Sequence, residues 1–402
     1  MLDVLALGII IPVLPQLVSR FVGGDMQQAA IVFGAFVSVW EAMQLLFSPL
    51  LGSLSDRYGR RSVILLSNLG LGLDYVLMAL APSLPLLFLG RIISGITAAS
   101  FPAATAYIAD VMPPEKRAQG FGMIGAAFGV GFIVGPAVGG LLGGFDARAP
   151  FWVAAAFSLA NAGWGYFVLP ESLAPENRMA FSWKRANPLG SLKLLRRHRE
   201  LFGLSMSVFL MNLAHFVYQS TFVLYADYRY HWKERAVGLT LAAVGLSAGI
   251  VQGALAGRVT AALGERRTMI VALLFGVAGF VLYGYASTGT LFMIGVPIMA
   301  LWGLAGPAMQ SQMSRQLGPS EQGQLQGAVT SLNAIAGLVG PAMFTRAFAW
   351  GIEQTKLGSS FTNAVGAPFF ISAALLLAAM FVGAYATRST IQTREESPPV
   401  TG

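Results

Sequence analysis

The chain has 402 residues, of which 55% are hydrophobic and 11% charged, against about 45–50% and about 25% in a soluble domain. That balance excludes a water-soluble globular protein, and the absence of cysteine excludes disulfides, thiolate chemistry and cysteine metal sites. The excess of 26 Lys and Arg over 18 Asp and Glu needs no nucleic-acid partner, because membrane proteins collect basic residues in their cytoplasmic loops.

Apolar runs such as Ile31–Gly52 recur down the chain. A run of about 18 apolar residues crosses a hydrocarbon core of roughly 30 Å. Backbone groups facing lipid must be satisfied within their own segment, so the spans are helices. The first, 2–20, carries Asp3 where a secretion signal would carry basic residues, and no small-residue cleavage site follows. It begins abruptly, as a span does when its true start lies upstream of Met1. The second, 31–51, holds Glu41 near its middle and Gln44 one turn later. A buried carboxyl of this kind suits proton transfer.

The segment "GSLSDRYGRR" leads to the third span, 62–81. Gly52 and Gly59 permit a tight turn, Arg57, Arg60 and Arg61 favour retention inside, and Asp56 is placed to meet a basic group or a helix N-terminus. The third span and the fourth, 85–109, turn near Pro82, which sets Asp74 and Arg91 at similar depth. A charge at the bilayer centre costs roughly 2.5–3.5 kcal/mol, so the two are expected to pair. The pair reads either as a hairpin staple of small net stability or as a cavity group handling substrate or protons. In the fifth span, 119–143, Gly125, Gly129, Gly135, Gly139 and Gly140 form a small-residue face for close packing, and Pro136 removes a backbone donor and can kink the helix.

The sixth span, 151–169, ends at a basic segment, 170–199, that divides the chain. In the seventh, 200–226, Asn212, His215 and Gln219 are spaced three and four apart and share one face. Spans at 236–256 (with Gln252), 267–286, 291–312, 323–349 and 366–387 follow, then a tail, 388–402. With the amino terminus inside, cytoplasmic segments hold 18 of the 26 basic residues and the outer loops seven. Both termini are therefore expected in the cytoplasm.

The two sets of six spans are related. Gly52 and Gly257, Gly59 and Gly264, Pro114 and Pro319, and Gly135-Pro136 and Gly340-Pro341 all recur at an offset of 205. Parallel halves about an axis along the membrane normal are a transporter architecture with its site near the midplane. The reading is an all-α membrane protein of twelve transmembrane helices in two pseudo-symmetric six-helix bundles: 1–169, a linker 170–199, 200–387, and the tail 388–402.

"GSLSDRYGRR", "LDY" at Leu73–Tyr75, "LGRIISGITAA" in the fourth span, "GAAFGVGFIVGPAVGG" in the fifth and "EQGQLQGAVTSL" opening the eleventh together resemble the major facilitator superfamily. Within it the chain is similar to bacterial drug–proton antiporters of the tetracycline efflux type. The resemblance implies the major facilitator fold, proton-coupled export of drug-like molecules, tetracycline resistance, and a bacterial inner-membrane location. It implies a cytoplasmic latch between the halves at Gly52, Asp56, Arg57, Gly59 and Arg60, and an antiporter hinge or seal at Gly129, Gly135, Pro136 and Gly139. It matches Asp3 with Pro12 and Pro15, Gln44, Asp74, Arg91 and Gln252 to family positions. It implies no bound cofactor and no resident metal, with a proton gradient as energy source, a metal–drug chelate as one form of substrate, and function as a monomer. It also implies an acid in the ninth span at the position of Gly276, where this chain has none. Glu41, standing where the family has a small or neutral residue, is the expected substitute.

Two other readings stand beside export. A proton-linked importer of a sugar or metabolite would share the architecture, and the fifth-span signature argues against it. A membrane enzyme or sensor is a different class, disfavoured because no nucleophile–base set, His-rich site or soluble domain is present, and no nucleotide-binding loop points to ATP drive.

Overall fold

The computed structural model describes residues 2–98, 101–113, 116–181, 187, 192, 199–317, 322–358 and 363–395, and these contain helices and turns but no strand. Half of the basic linker, Pro114, Pro319 and the last seven residues lie outside the described residues. The helices are α1 (Leu2–Ile10), α2 (Leu14–Phe21), α3 (Met26–Tyr58), α4 (Arg60–Leu80), α5 (Leu84–Ala98), α6 (Phe101–Val111), α7 (Arg117–Gly143) and α8 (Ala149–Val168). After the linker come α9 (Arg199–Ser220), α10 (Phe222–Tyr230), α11 (Glu234–Ile250), α12 (Ala256–Leu263), α13 (Glu265–Tyr285), α14 (Gly289–Ala300), α15 (Ala305–Ser314), α16 (Gln322–Lys356) and α17 (Ala367–Glu395).

Eleven helical stretches among the described residues are long and apolar enough to cross a membrane. Helix α8 is as long, at 20 residues, and its two tryptophans, Asn161, Tyr166 and glycines hold its mean hydropathy below the others. With α8 the stretches match the twelve spans read from the sequence. Several are interrupted where continuous helices were expected. The first breaks between Ile10 and Leu14, where Pro12 and Pro15 withhold backbone donors. The seventh breaks at Thr221, the eighth carries a π turn at Val251–Leu255, and the tenth tightens into a 3₁₀ turn at Leu301–Leu304. The last helix runs on to Glu395, eight residues beyond the expected end of its span.

Local chemistry sets the ends. The Asp25 carboxylate accepts from the backbone N–H groups of Gln27 and Gln28 and caps α3. Gly59 and Gly264 close the equivalent turns of the two halves at φ +103° and +76°, a region that favours glycine. The duplicated sequence thus duplicates a backbone turn. Arg148 donates to the Ala79 and Ala81 carbonyls at 3.1 and 2.9 Å, satisfying the exposed end of α4.

Helices α1–α8 pack into one half and α9–α17 into the other, and two antiparallel seams join them, α3 against α16 and α7 against α11. Both seams are closest toward the Asp25 end. A Cβ on Gly34 would overlap the Thr345 hydroxyl, and one on Gly140 would stand 2.9 Å from the Gly238 Cα. Toward the Gly59 end the seam opens. Gly125 and Gly129 continue the face of Gly140 down α7, and Gly249, Gly253 and Gly257 continue that of Gly238 and Gly245. A Cβ added at any of these five meets nothing within 4 Å. The halves therefore enclose a wedge, shut at one end and open at the other.

The α7 glycines divide between two partners, which corrects the single face expected of them. Gly135 and Gly139 pack on Gly8 and Ile9 of α1 within their own half, whereas Pro136, through its carbonyl, and Gly140 meet the second half. Residues 135 and 136 lie about 100° apart around the helix, so one stretch serves two contacts.

Candidate functional site

Glu41, Asp74 and Arg91 lie together on the first half's side of the wedge. Glu41, on α3, is 8% exposed and neither accepts a hydrogen bond nor forms an ion pair among the described residues. Its Oε2 stands 2.7 Å from the place a Cβ on Gly337 would occupy, beside the Phe216 ring, so the carboxyl reaches the second half at the α3–α16 seam. Asp74, on α4, is 1% exposed, and both its oxygens are buried without a hydrogen-bond partner. It lies level with Arg91, because its Oδ1 is 2.9 Å from the Cβ position of Gly90.

The expected direct ion pair between Asp74 and Arg91 is absent. No nitrogen–oxygen approach within 4.0 Å joins them, and the guanidinium lies 5.4 Å over the Trp40 ring. A planar guanidinium gains from an aromatic face and leaves its field shared among neighbours. Arg91 interacts electrostatically with Asp74 most strongly, then with Tyr75 and Glu41. Two carboxyls face one guanidinium, and a buried charge without its own partner is costly. The arrangement stores an unmet demand for a proton, a cation or a donor. Asp3 is held apart from this trio: Asn161 donates to its Oδ2 at 2.8 Å and its Oδ1 is unpartnered.

Across the wedge, α9 presents a polar stripe. Asn212 is half-buried, His215 and Gln219 are exposed, and Leu213, Ala214, Phe216 and Val217 between them are buried. His215 lies deep among protein atoms and yet has open surface, which describes a side chain on the wall of an internal chamber. Its ring lies 5.6 Å from Trp302 and 5.9 Å from Tyr218. Trp302 Nε1, like Trp40 Nε1 and the Tyr75 and Tyr283 hydroxyls, is buried with no partner. Gly276, where the ninth-span acid was implied, is buried against Trp302 and Leu376. Gln44 is half-buried one turn beyond Glu41, and Gln252 is exposed in the π turn with its amide near Gly303.

Among the described residues, the segment of the implied latch has no side-chain partner in the second half. Arg60 pairs with Asp56, donates to Ser55 Oγ at 2.7 Å, and reaches Asp110 at 3.3 Å. Its backbone N–H donates to Glu171 at 2.9 Å, and a Cβ on Gly59 would overlap that carboxylate. Gly52 accepts from Ser55, and Arg57 lies over the Tyr58 ring. Among the described residues these partners all belong to the first half or the start of the linker, because the wedge is open at this end.

Sequence reasoning missed Gly337, Trp302 and Asn161, whereas Phe216 and Tyr218, with Trp40, stand out in the sequence as aromatics able to contact a flat ligand. It also missed Arg20, Gln16 and Glu234, which meet at the closed end. Glu234 is 5% exposed at the start of α11, and Arg20 Nη2 reaches its Oε1 at 2.9 Å. The only signal in the sequence was charge at the ends of spans, which loops share.

The arrangement has known counterparts. The family model described as "Major Facilitator Superfamily" matches residues 1–341. The tetracycline resistance protein of class C from Escherichia coli is 36% identical over 87% of this chain and 87% of its own. The class G protein from Vibrio anguillarum is 38% identical, covering 86% of this chain and 87% of its own. Among solved structures, that of the human organic anion transporter MFSD10 superposes with a TM-score of 0.68 at 25% identity, covering 95% of this chain and 96% of that one.

Proposed function

We propose, from the premise that this chain belongs to the Major Facilitator Superfamily, that it exports drug-like small molecules by alternating access, driven by inward proton flow. One observation carries this reading: the Glu41 carboxyl, without a hydrogen-bond partner among the described residues, stands beside the Phe216 ring of the opposite half in a wedge shut at one end. The tetracycline resistance proteins among its relatives make tetracycline the first compound to test, and its metal chelate a form to include.

Basic loops gather at the Gly59 end, which supports a cytoplasmic side for it. The chamber then opens inward, with both termini cytoplasmic in a bacterial inner membrane. Drug enters between Glu41 and Asp74 on one side and His215, Tyr218 and Trp302 on the other. The carboxyls exchange a proton for the drug, and Arg91 sets how strongly each holds it. Both walls come from one chain, so a monomer suffices. The energy comes from the proton gradient, without a bound cofactor.

Proteoliposomes test the reading. Drug-dependent proton release means antiport, co-accumulation of drug and protons means import, and no flux means neither. Asp74→Asn is expected to abolish proton-driven transport and Glu41→Gln to reduce it at least tenfold. If Glu41→Gln left coupling intact while Asp74→Asn abolished it, Glu41 would lose its place in the mechanism.

A further inference from the structure

The closed end of the wedge is held around one buried acid. Arg20 Nη2 on α2 reaches Glu234 Oε1 at 2.9 Å. Gln16, one turn earlier on the same helix, donates to both carboxylate oxygens, at 3.1 Å for Oε2, in the amide orientation that satisfies its own polar atoms. The two donors come from the first half and the acid from the second. Glu234 is pressed onto α7 as well, its Cβ 3.2 Å from the place a Cβ on Gly143 would take. Directly outside opens a cleft of about 920 Å³ lined by Gln16, Arg20 and Glu234 together with residues of both halves.

Of the other charged groups at this cleft, Lys356 forms no ion pair among the described residues and the rest are committed elsewhere. Asp25 caps α3, Lys233 pairs with Asp227 at 3.0 Å, and Arg229 donates to Asn363 at 3.1 Å. A carboxylate at 5% exposure needs its donors, because leaving it buried and unpaired is costly. When the halves part at this end, water replaces both donors and the cost disappears. The two donors therefore remove the penalty that an unpaired Glu234 would place on the shut mouth, without touching anything in the chamber.

We propose that Arg20, Gln16 and Glu234 are the outer gate of the transport cycle. They are positioning residues that hold the outer mouth shut while the chamber is open at the opposite end, and they separate for the drug to leave. The proposal rests on the transport reading.

The chain has no cysteine, so a single His215→Cys reporter marks the chamber. Its rate of labelling by a membrane-impermeant maleimide added outside intact cells reads the opening of the outer mouth. Glu234→Gln and Arg20→Gln are each expected to raise that rate about tenfold, the effect of removing roughly 1.4 kcal/mol of bias toward the shut state. The exchange Arg20→Glu with Glu234→Arg is expected to restore slow labelling. A contact serving only to hold the fold would lower thermal stability and leave labelling of the folded protein unchanged. Equal rates in the parent and both single variants would overturn the proposal, as would fast labelling in the exchanged pair. Arg20 is 59% exposed, so Arg20→Gln keeps the test informative if Glu234→Gln fails to accumulate. Labelling does not need flux: a wild-type protein that releases no protons with any drug sinks the transport reading, while the labelling ratios of the reporter variants still decide the gate.

Discussion

Arg60 and Asp110 form an ion pair at 3.3 Å in the first half, and 205 residues later Glu265 and Arg315 form the same pair with the charges exchanged, at 2.8 Å. In each half the first residue follows the glycine turn and the second lies at the end of the neighbouring helix. The duplicated scaffold has kept the bridge and not its sign. What the fold requires at this turn is a paired contact that neutralises the partly buried group after the glycine, Arg60 in one half and Glu265 in the other, and either order of charges meets that requirement. The Asp56 and Ser55 contacts of Arg60 have no counterpart around Glu265, which is held instead by the Ser311 hydroxyl.

The second-half pair tolerates reversal. Arg315 is 71% exposed, so water screens the bridge and its loss costs about 0.5–1 kcal/mol. Arg315→Glu is expected to lower the melting temperature in detergent by a few degrees. The double variant Glu265→Arg, Arg315→Glu is expected to recover more than half of that loss. Recovery below a third would mean that Ser311 and the neighbouring Arg266, rather than the pair, set the preference.

Gly337 is the seat on which Glu41 meets the second half. A methyl there would stand 2.7 Å from both Glu41 Oε2 and the Phe216 ring tip. A carboxyl end can swing away, so Gly337→Ala is expected to cut the maximal transport rate several-fold with normal amounts in the membrane. Gly337→Val, which both neighbours cannot escape, is expected to stop transport. Drug-dependent proton release in proteoliposomes measures both, and wild-type rates in Gly337→Val would separate Glu41 from the seam.

Much of this was legible in the sequence, for identifiable reasons. Spans follow from hydropathy, and the two-half plan from four landmarks at one offset. Asp74, Arg91 and Glu41 stand out because charge is rare inside apolar runs. The division of Gly135 and Gly139 from Pro136 and Gly140 was available too, since neighbouring residues point about 100° apart on a helix. Burial created by the meeting of halves was not legible. Glu234 and Arg20 sit at span ends, where charges are ordinary, and only the joined seam makes one of them a buried acid. The open end is equally silent, because the residues that would latch it are the same whether the halves touch or not.

The same glycine signature yields two opposite outcomes along α7. A Cβ on Gly139 would run into the Ile9 carbonyl, a backbone atom that cannot rotate away. Gly139→Ala is therefore expected to destabilise at the upper end of the roughly 1–3 kcal/mol typical of overpacking, seen as a lowered melting temperature. Gly129 faces open space, so Gly129→Leu is expected to leave stability within about 0.5 kcal/mol. If the wedge shuts at this end during the cycle, the added side chain obstructs closure, and transport falls several-fold. A Gly129→Leu protein that is stable and fully active would show that this face of α7 never meets α11.

Gly276 closes the question of the ninth-span acid. The glycine is fully packed, with a Cβ there 2.5 Å from the Leu376 Cδ1 and 2.9 Å from the Trp302 indole. Trp302 in turn lies 5.6 Å from His215, so the volume an acid would need is filled by the aromatic wall of the chamber. Gly276→Asp is expected to lower both stability and transport, since it forces a buried charge into space already filled by Leu376 and Trp302 and displaces the indole. The paired variant Gly276→Asp, Trp302→Ala makes room for the carboxyl. If proton coupling lost in Glu41→Gln returned in that background, a ninth-span acid would be able to replace Glu41. If it stayed lost, the coupling site would be fixed to the α3–α16 seam by the geometry of Glu41 against Gly337, and not by the presence of a carboxyl anywhere in the chamber.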